Sequence, residues 1–577
     1  MREELNGRLR IISLLALMAL LVAACGGSAE DTSSTTAAGD DTATTTAATE
    51  PSETTAATEP AGEFVGDMVA APDCDYGGKI SSIEAVDALT VKFTLCSPVP
   101  AFQQIVAFTP FGIQPEEHLE ATGGSPLENP IGTGPWALEA WNRGDSVVFT
   151  KNADYWGEPA PYDTLVFRWA TESAGRLVEL QSGNADMITN LSKDDIPAVE
   201  ADPNLTLLPV QNPNVFYLGL STKFEPLDNV DVRKAIAMGI DRQRIVDNFY
   251  PPGSTPADFF TPCAIENACN GEAWYGFDAA AAKQMLADAG FPDGFDTTIY
   301  YRDVFRVYLP EPGSVALEIA EQLRENLGIN ANVQVVESGE FIATSTVGDY
   351  PIYLLGWGAD YPHVTNFLDF HFGEANPQFG DVHPEIYDNL IEGAQIADPA
   401  TAAPIYEAAN NAIREIVPMV PIAHGAANDA ALVSVENAAI PVFGAPFFHE
   451  MNPGKDTFVF VQNAEPISLY CSDETDGESL SACQQVVEPL LDYDLDGNVV
   501  PALATECVAN DDATEWTCSL REGVTFHDGS SFDANDVVAS LAAGIDAANP
   551  LHVGNTGVFD YYAYLWGQLI NAPESEG

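Results

Sequence analysis

Strand-like and helix-like patterns alternate along the sequence after residue 62 with no long break. Apolar residues at every second position predict a half-buried strand over 89–95. Stripes of apolar residues at helical spacing predict helices over 232–249, with Asn229 or Asp231 as the N-cap, and over 316–327. Elements of both kinds, mixed in this way, predict a fold built of α/β layers.

The first 24 residues have the organisation of an export signal. Three arginines precede an apolar run at 11–21, which is too short to read as a spanning helix. VAAC at 22–25 follows, and this stretch resembles the lipobox of bacterial lipoproteins, in which the cysteine receives a diacylglyceryl group. We expect 1–24 to be a signal peptide and Cys25 to be the lipidated first residue of the mature protein. The alternative is a plain signal peptide that happens to hold a cysteine.

A segment of low complexity follows the cysteine. Residues 28–61 are almost entirely Thr, Ala, Ser, Asp, Glu, Gly and Pro, with no aromatic residue, Lys or Arg. This composition cannot bury a core. We therefore expect 25–62 to be a solvated tether with a reach of roughly 35 Å.

The charge balance argues against two classes of partner. The chain has 22 Lys and Arg against 86 Asp and Glu, which gives a formal net charge of -64. Nucleic acid requires a basic face, and adsorption to anionic lipid requires a polybasic patch. We expect neither of these interactions.

The cysteines other than Cys25 fall into four pairs that are close in sequence. An even set in an exported chain predicts disulfides. The spacing of a zinc site, Cys-x-x-Cys or a Cys/His cluster, is absent from the sequence. The predicted bonds are Cys74–Cys96, Cys263–Cys269, Cys471–Cys483 and Cys507–Cys518.

Motifs for several common chemistries are incomplete in this sequence. GTGP at 132–135 lacks the Lys and Ser/Thr of a phosphate loop, and HE at 449–450 lacks the second His of a zinc protease. Asp492, Asp494 and Asp496 imitate the start of a calcium loop, but Leu503 stands where a bidentate Glu is required, so a hairpin turn is predicted. We expect no catalytic residue, no metal and no cofactor.

An ordered series of short motifs carries a family resemblance. They are PIGTGPW at 130–136, NADYWG at 152–157, LQSGNAD at 180–186, VRKAI at 232–236 and IDR at 240–242. The series resembles the peptide/nickel family of solute-binding proteins, the bacterial extracellular solute-binding family 5, which serves ABC importers. The resemblance covers roughly 63–577.

The motifs occur in an unusual order. Family members begin with a stretch similar to 458–469, and then with segments similar to PALA at 501–504, LREGV at 520–524, FHDG at 526–529 and DVV at 536–538. Here that opening block lies towards the C-terminus, and 80–87 resembles what should follow it. The sequence therefore looks circularly permuted. The alternative is a misjoined gene model in which 455–577 begins a second, truncated copy.

The resemblance implies a two-lobed α/β clamp of the type II periplasmic-binding-protein kind, with mixed sheets, that closes on a solute by hinge motion. Lobe I would combine 63–220 with 426–577, and lobe II would be 221–425. The hinge crossings would lie at 215–221 and 424–433.

The resemblance also places one end of the ligand. GWGADYP at 356–362 resembles the segment that grips the peptide N-terminus in peptide-binding members. Asp360 matches the acid that pairs with the α-ammonium, Trp357 would pack on the peptide, and Tyr361 is a further candidate ligand-binding residue of this segment. The alternative is that Asp360 is a turn residue and Trp357 belongs to the core.

Other positions are candidates for the rest of the site. Arg302 or Arg306 would hold a ligand carboxylate, since Arg is scarce in this chain, and a surface salt bridge is the alternative. Glu465 and Pro466, in the block that resembles the first strand and loop of the family, would line the opposite wall.

The expected function is capture of oligopeptides, or of a related small solute such as nickel, haem, a sugar or an opine, for an ABC permease complex in the membrane. The protein would be exported and held by its lipid anchor at the outer face of the cytoplasmic membrane or in the periplasm. A peptide sensor or chaperone-like surface lipoprotein on the same scaffold is the alternative, and an enzyme is not expected.

Overall fold

The structure is a computed structural model that describes residues 64–210, 212–373, 376–381, 383–396 and 398–573. The expected signal peptide, the lipidated Cys25 and the tether 25–62 lie outside the described residues. Strands and helices alternate along the described chain, as the sequence patterns predict. Their arrangement confirms the expected α/β fold with two lobes and mixed sheets.

Two larger sheets and a small hairpin form lobe I. The seven-stranded sheet has the order Trp136–Asn142, Ser146–Lys151, Thr164–Trp169, Thr457–Gln462, Met187–Ile188, Ala427–Leu432 and Leu205–Val210. The five-stranded sheet has the order Met68–Ala70, Ile80–Asp87, Thr90–Leu95, Glu515–Leu520 and Ala504–Ala509. The hairpin pairs Leu491–Tyr493 with Val499–Pro501.

One six-stranded sheet forms the centre of lobe II. Its order is Thr255–Pro256, Met419–His424, Asn214–Leu220, Ile352–Gly358, Asp296–Tyr301 and Asn330–Val335. The strand Asn214–Leu220 hydrogen-bonds to strands on both sides of it, so it belongs to lobe II, whereas the boundary expected at 220 placed it in lobe I. The chain crosses between the sheets from Val210 to Asn214 and from His424 to Ala427.

Helices connect the strands of both lobes. Those of lobe I are Phe102–Val106, Glu116–Ala121, Ser173–Gln181, Ile196–Ala201, Gly477–Cys483, Ala534–Ile545 and Asp560–Leu565. Those of lobe II are Val230–Gly239, Arg242–Phe249, Ala279–Asp288, Pro312–Leu327, Ser338–Ser345, Thr365–Phe372, Pro384–Gly393 and Pro399–Ile416.

The apolar stripe at 232–249 belongs to two helices, whereas the sequence predicted a single helix. Asn229 caps the first helix by accepting a hydrogen bond from the backbone N–H of Asp231 at 2.9 Å. Asp241 accepts a hydrogen bond from the backbone N–H of Arg244 at 3.0 Å and so starts a new helix. Both helices bury apolar residues, and the stripe therefore continues through the break.

The C-terminal segment supplies strands to both larger sheets of lobe I. Thr457–Gln462 runs parallel to Thr164–Trp169 inside the seven-stranded sheet. Near the other end of the segment, the backbone N–H of Lys79 donates to the carbonyl of Trp566 at 2.7 Å. The described part of the C-terminal segment, 455–573, therefore packs within lobe I.

The four predicted disulfides are present in the described residues. They join Cys74 to Cys96, Cys263 to Cys269, Cys471 to Cys483 and Cys507 to Cys518, with Cα–Cα distances of 5.5, 5.2, 5.8 and 4.0 Å. The last pair bridges two neighbouring antiparallel strands. Each bond closes a short segment, which stabilises the fold by about 2–3 kcal/mol in the chain-entropy account.

The acidic run at 492–497 is a hairpin turn, as predicted. Asp494 accepts hydrogen bonds from the backbone N–H groups of Asp496 and Asn498, at 3.0 and 2.8 Å. Among the described residues, no group of three or more His, Cys, Asp or Glu is arranged to hold a metal ion. No helix in the same part of the chain has the length and hydrophobicity needed to cross a membrane.

Several motifs that carry the family resemblance converge on one buried carboxylate. Glu488 accepts hydrogen bonds from Thr133 Oγ1, Tyr155 OH and Trp156 Nε1 at 2.7, 2.8 and 2.7 Å. The guanidinium of Arg521 lies over the Trp156 ring, 4.0 Å from its centroid. These motifs therefore join the early and late segments of lobe I, and their residues do not line the interlobe cavities described below.

Candidate functional site

Asp360 lies between the lobes, in the turn that follows the strand Ile352–Gly358. The backbone N–H of Ala359 donates to the carbonyl of Pro213 at 2.7 Å, which ties this turn to one of the hinge crossings. The side-chain oxygen of Asn366, a buried residue, accepts a hydrogen bond from the backbone N–H of Asp360 at 3.1 Å. The position of the aspartate is therefore determined by both the hinge and the helix Thr365–Phe372.

The carboxylate of Asp360 has neutral hydrogen-bond donors and no positively charged partner among the described residues. Asn366 Nδ2 donates to it at 2.9 Å, and the hydroxyl of Tyr561, from lobe I, donates at 3.2 Å. Burial raises the pKa of Asp360 to about 6, and the two hydrogen bonds oppose that shift. The ionised form of a buried carboxylate without a positive partner is destabilised, and a cationic ligand group would stabilise it.

Two cavities meet at Asp360. The arginine cavity, of about 430 Å³, is lined mainly by lobe II and includes Arg302 and Arg306. The acidic cavity, of about 390 Å³, is lined mainly by lobe I. Both are lined by Asn212, Ala359, Asp360 and Tyr561, so the two cavities form adjoining parts of one cleft.

The structure brings both predicted arginines into the same cavity as Asp360. Arg302 donates to Ser338 Oγ at 3.1 Å and lies 3.5 Å from the Tyr308 hydroxyl. Arg306 donates to the carbonyl of Phe305 at 2.8 Å and is exposed. Neither guanidinium forms an ion pair with a described carboxylate, so the surface salt bridge considered for them is not present there. Their charges remain available to an anionic ligand group.

The aromatic residues that flank Asp360 have different surroundings. Trp357 lines the arginine cavity, stacks on Phe370 with ring centroids 4.2 Å apart, and donates from Nε1 to Asn366 at 3.1 Å. Tyr361 is buried, and its hydroxyl lies 3.1 Å from Thr365 Oγ1. Tyr361 lines neither the arginine cavity nor the acidic cavity and lies in the interior of the protein.

Glu465 and Pro466 lie away from the two cavities. Glu465 accepts hydrogen bonds from Trp141 Nε1 at 3.2 Å and from the backbone N–H of Gly144 at 3.1 Å. Pro466 is buried. Neither residue is among those that line the arginine cavity or the acidic cavity, and the structure therefore does not bring this predicted pair together with Asp360.

The wall opposite Asp360 is formed by other polar residues of lobe I. Asp429, 3% exposed, accepts hydrogen bonds from Thr189 Oγ1 at 3.0 Å and from the backbone N–H of Asn190 at 2.8 Å. Burial raises the pKa of Asp429 to about 6. Glu478 lines the same cavity, and burial together with the neighbouring Asp476 raises its pKa.

Sequence reasoning missed Tyr561, Asn366 and Asp429 as site residues. Tyr561 lies 201 positions from Asp360 along the chain, and a tyrosine in a helical segment that also holds Tyr562 and Tyr564 carries no local signal of such a contact. Asn366 follows the GWGADYP segment by only four residues, and this proximity is a signal that could have identified it.

The fold and the cleft define the class of the protein. Two α/β lobes joined by two hinge crossings, with a charged cleft between them, make a two-lobed solute-binding protein of the type II periplasmic kind. The sequence model described as "Bacterial extracellular solute-binding proteins, family 5 Middle" matches residues 34–379 and 498–558. The chain belongs to this family, whose members are substrate-binding proteins and not enzymes.

Individual relatives differ in the solutes for which they are named. Di/tripeptide-binding protein 1 of Pseudomonas aeruginosa is 29% identical over 394 residues, 65% of this chain and 72% of that protein. Heme-binding protein A of Haemophilus influenzae is 26% identical over 356 residues, 60% of this chain and 64% of that protein. The ABC transporter-associated periplasmic binding protein DppA from Helicobacter pylori, solved in complex with the peptide STSA, is 25% identical, with a TM-score of 0.55 over 65% of this chain and 75% of that one.

Proposed function

We propose that this protein captures short peptides between its lobes and delivers them to an ABC importer. The observation that carries the proposal is the carboxylate of Asp360, which has no described cationic partner and shares a cavity with Arg302 and Arg306. A peptide has an α-ammonium at one end and a carboxylate at the other. Its ends therefore complement the charges of this cavity.

Charge pairing with Asp360 takes place in a recessed site. A carboxylate that is partly removed from water gains most from a partner that is charged and also donates hydrogen bonds. An α-ammonium has both properties, and it occurs in every unblocked peptide whatever the side chains. Trp357 adds an apolar surface beside the anchor, on which a first residue can pack without specific recognition.

The relatives support peptides over the other solutes considered. The Pseudomonas protein and the Helicobacter protein are named for or solved with peptides, and the Haemophilus protein is named for haem. A haem has carboxylates but no ammonium, so it would leave Asp360 without a counter-charge. The Helicobacter protein is described as ABC transporter-associated, which supports the delivery step.

Binding can be tested with the full chain and two forms of one dipeptide. We expect Ala-Leu to bind in calorimetry, N-acetyl-Ala-Leu to bind poorly, and Asp360→Asn to remove most of the affinity for the free dipeptide. Asp288→Asn is the matched control, because Asp288 is exposed on a helix of the same lobe. Equal binding of the free and acetylated dipeptides would contradict the role of Asp360, and unimpaired peptide uptake in a deletion strain would contradict delivery.

We also propose that Cys25 carries a lipid anchor and that the order of segments is a true circular permutation. The family match in two separate segments and the packing of 455–573 within lobe I support the permuted order. The measurement is the intact mass of the purified protein. A C-terminus that differs from the one encoded in this sequence would favour a misjoined gene model.

A further inference from the structure

The acidic cavity is the part of the cleft that the peptide contacts proposed above do not use. Its volume is about 390 Å³, within the range of about 300–1,000 Å³ typical of ligand pockets, and it adjoins the arginine cavity at Asp360 and Tyr561. Two further carboxylates, those of Asp429 and Glu478, line it, and no Lys, Arg or His is among its described lining residues. The wall of the cavity therefore carries negative charge that none of its own residues balances.

Asp429 has one carboxylate oxygen to which no described residue donates. Its Oδ1 atom accepts the hydrogen bonds from Thr189 and from the backbone N–H of Asn190, and Oδ2 accepts none among the described residues. Asp429 is 3% exposed and lines the acidic cavity. A buried oxygen of this kind is stabilised most by a positively charged donor, which a ligand in the cavity can supply.

Arg176 lies near Asp429 but does not neutralise the cavity. Its guanidinium donates, at 2.6 to 2.9 Å, to the backbone carbonyls of Ala170, Thr171, Thr189 and Asn190. Arg176 does not line the acidic cavity, and its attraction is the smallest of the effects that lower the pKa of Asp429. The donors of this arginine are thus directed to the backbone, and the cavity side of Asp429 has no charged partner among the described residues.

Gln462 adds a neutral acceptor to the same wall. It is 1% exposed, its Nε2 atom donates to the carbonyl of Ala464 at 3.0 Å, and no described residue donates to its Oε1 atom. Several acceptors on one wall favour a cation that donates several hydrogen bonds at once. Among the described residues no group is arranged to hold a metal ion, so the observations favour an ammonium or a guanidinium.

The apolar part of the lining suits the stem of such a side chain. The apolar lining residues with large side chains are Phe108, Val210, Ile440, Phe460 and Leu480. Lysine and arginine bury their methylene groups against apolar surface and keep the charged end in a polar setting. The acidic cavity therefore combines a surface for the stem with acceptors for the charged end.

We propose that the acidic cavity is a selectivity pocket for a cationic side chain, so that the protein prefers peptides whose first residue is lysine or arginine. This inference rests on the proposed function, because Asp360 holds the α-ammonium of that residue. The first residue packs on Trp357 through its backbone, and the main chain continues into the arginine cavity. Its side chain leaves the same α-carbon, enters the acidic cavity and donates to Asp429 and Glu478. A peptide with an apolar first residue binds less tightly, because it leaves these acids without a partner.

The test compares Lys-Ala with norleucyl-alanine on the full chain by calorimetry. Norleucine has the four-carbon stem of lysine without the ammonium. We expect the wild type to bind Lys-Ala about tenfold more tightly or better, and Asp429→Asn to remove most of that preference while it changes norleucyl-alanine by less than about twofold. Glu200→Gln is the matched control, because Glu200 is exposed on a helix of lobe I and lies outside the acidic cavity.

A second variant and a free diamine make the test independent of one substitution and of one ligand source. Glu478→Gln should also weaken Lys-Ala selectively, and thermal melting of each variant shows that it is folded. Putrescine has the cationic group without the peptide, and we expect it to bind at least about tenfold more weakly than Lys-Ala, because it has no carboxylate for Arg302 or Arg306. Putrescine that binds as tightly as Lys-Ala would overturn the assignment to a peptide side chain.

The outcomes separate this inference from the proposed function. If the wild type binds neither of the two dipeptides nor Ala-Leu, the proposed function fails and the inference fails with it. If the wild type binds Lys-Ala and norleucyl-alanine equally, or if the preference persists in both acid variants, the selectivity pocket is wrong while peptide binding stands. Equal weakening of both dipeptides in folded Asp429→Asn would likewise overturn the pocket and assign Asp429 a structural role.

Discussion

The hydroxyl of Tyr561 in lobe I donates a hydrogen bond to the carboxylate of Asp360 in lobe II at 3.2 Å. The bond crosses the cleft at the point where the arginine cavity and the acidic cavity meet. The bond connects lobe I directly to Asp360, the proposed ligand anchor in lobe II. A ligand that contacts both Asp360 and residues of lobe I would therefore stabilise this arrangement of the lobes.

Peptide affinity should depend on pH through Asp360. The pKa of Asp360 is about 6, and a peptide ammonium stays protonated up to about pH 7.7, so affinity should rise between pH 5 and pH 7 as the acid ionises. The Tyr561 hydrogen bond favours the ionised form, so Tyr561→Phe should move the midpoint to higher pH. Calorimetry with Ala-Leu across this range measures both effects. A profile unchanged in Asp360→Asn would assign the titration to another group, such as Asp429.

Removal of the anchor charge should stabilise the ligand-free protein. The folded-state pKa of about 6 lies above the ordinary value of 3.8, so the ionised acid is disfavoured in the fold and stability falls as pH rises from 4 towards 6. Asp360→Asn should raise the free energy of unfolding by about 1–3 kcal/mol at pH 7 and change it little at pH 4. Urea unfolding at the two pH values measures the difference. A loss of stability at pH 7 would show that the carboxylate has a structural role.

Glu488 should contribute to the stability of the fold and not to peptide binding. Glu488→Ala leaves the donors of Thr133, Tyr155 and Trp156 without their common acceptor, which should lower the free energy of unfolding by about 2–4 kcal/mol. Glu506→Ala is the control, because Glu506 is exposed on a lobe I strand. Dipeptide affinity of the folded Glu488 variant should stay unchanged, and a specific loss of affinity would place Glu488 in the site.

Cys25→Ser should separate the protein from the membrane. A serine cannot carry the thioether-linked lipid, so the variant should appear in the soluble fraction or remain as an uncleaved precursor. Stable attachment needs more than one acyl chain, because a single chain holds a protein only marginally. Cell fractionation and the mass of the mature N-terminus measure this. Normal retention with normal cleavage in the variant would refute the anchor.

Interactions between residues close in sequence explain which elements could be predicted correctly. The α/β fold, the four disulfides and the hairpin at 492–497 follow from short-range patterns of hydrophobicity, cysteine spacing and turn residues. The break between Val230–Gly239 and Arg242–Phe249 was missed because one apolar stripe serves both helices. The boundary at 220 came from the family resemblance and assigns Asn214–Leu220 to lobe I, whereas this strand pairs with two strands of the six-stranded sheet.

The sequence by itself determined the class of the protein and pointed to Asp360 as its proposed anchor, because the GWGADYP segment and the ordered motifs are continuous in the chain. Only the tertiary structure decided which residues surround that anchor. Asp360 meets Tyr561 across 201 positions, and Asp429 and Glu478 line one cavity with it. The physical reason is that charge pairing and burial depend on distance in space, and the packing of the lobes sets those distances.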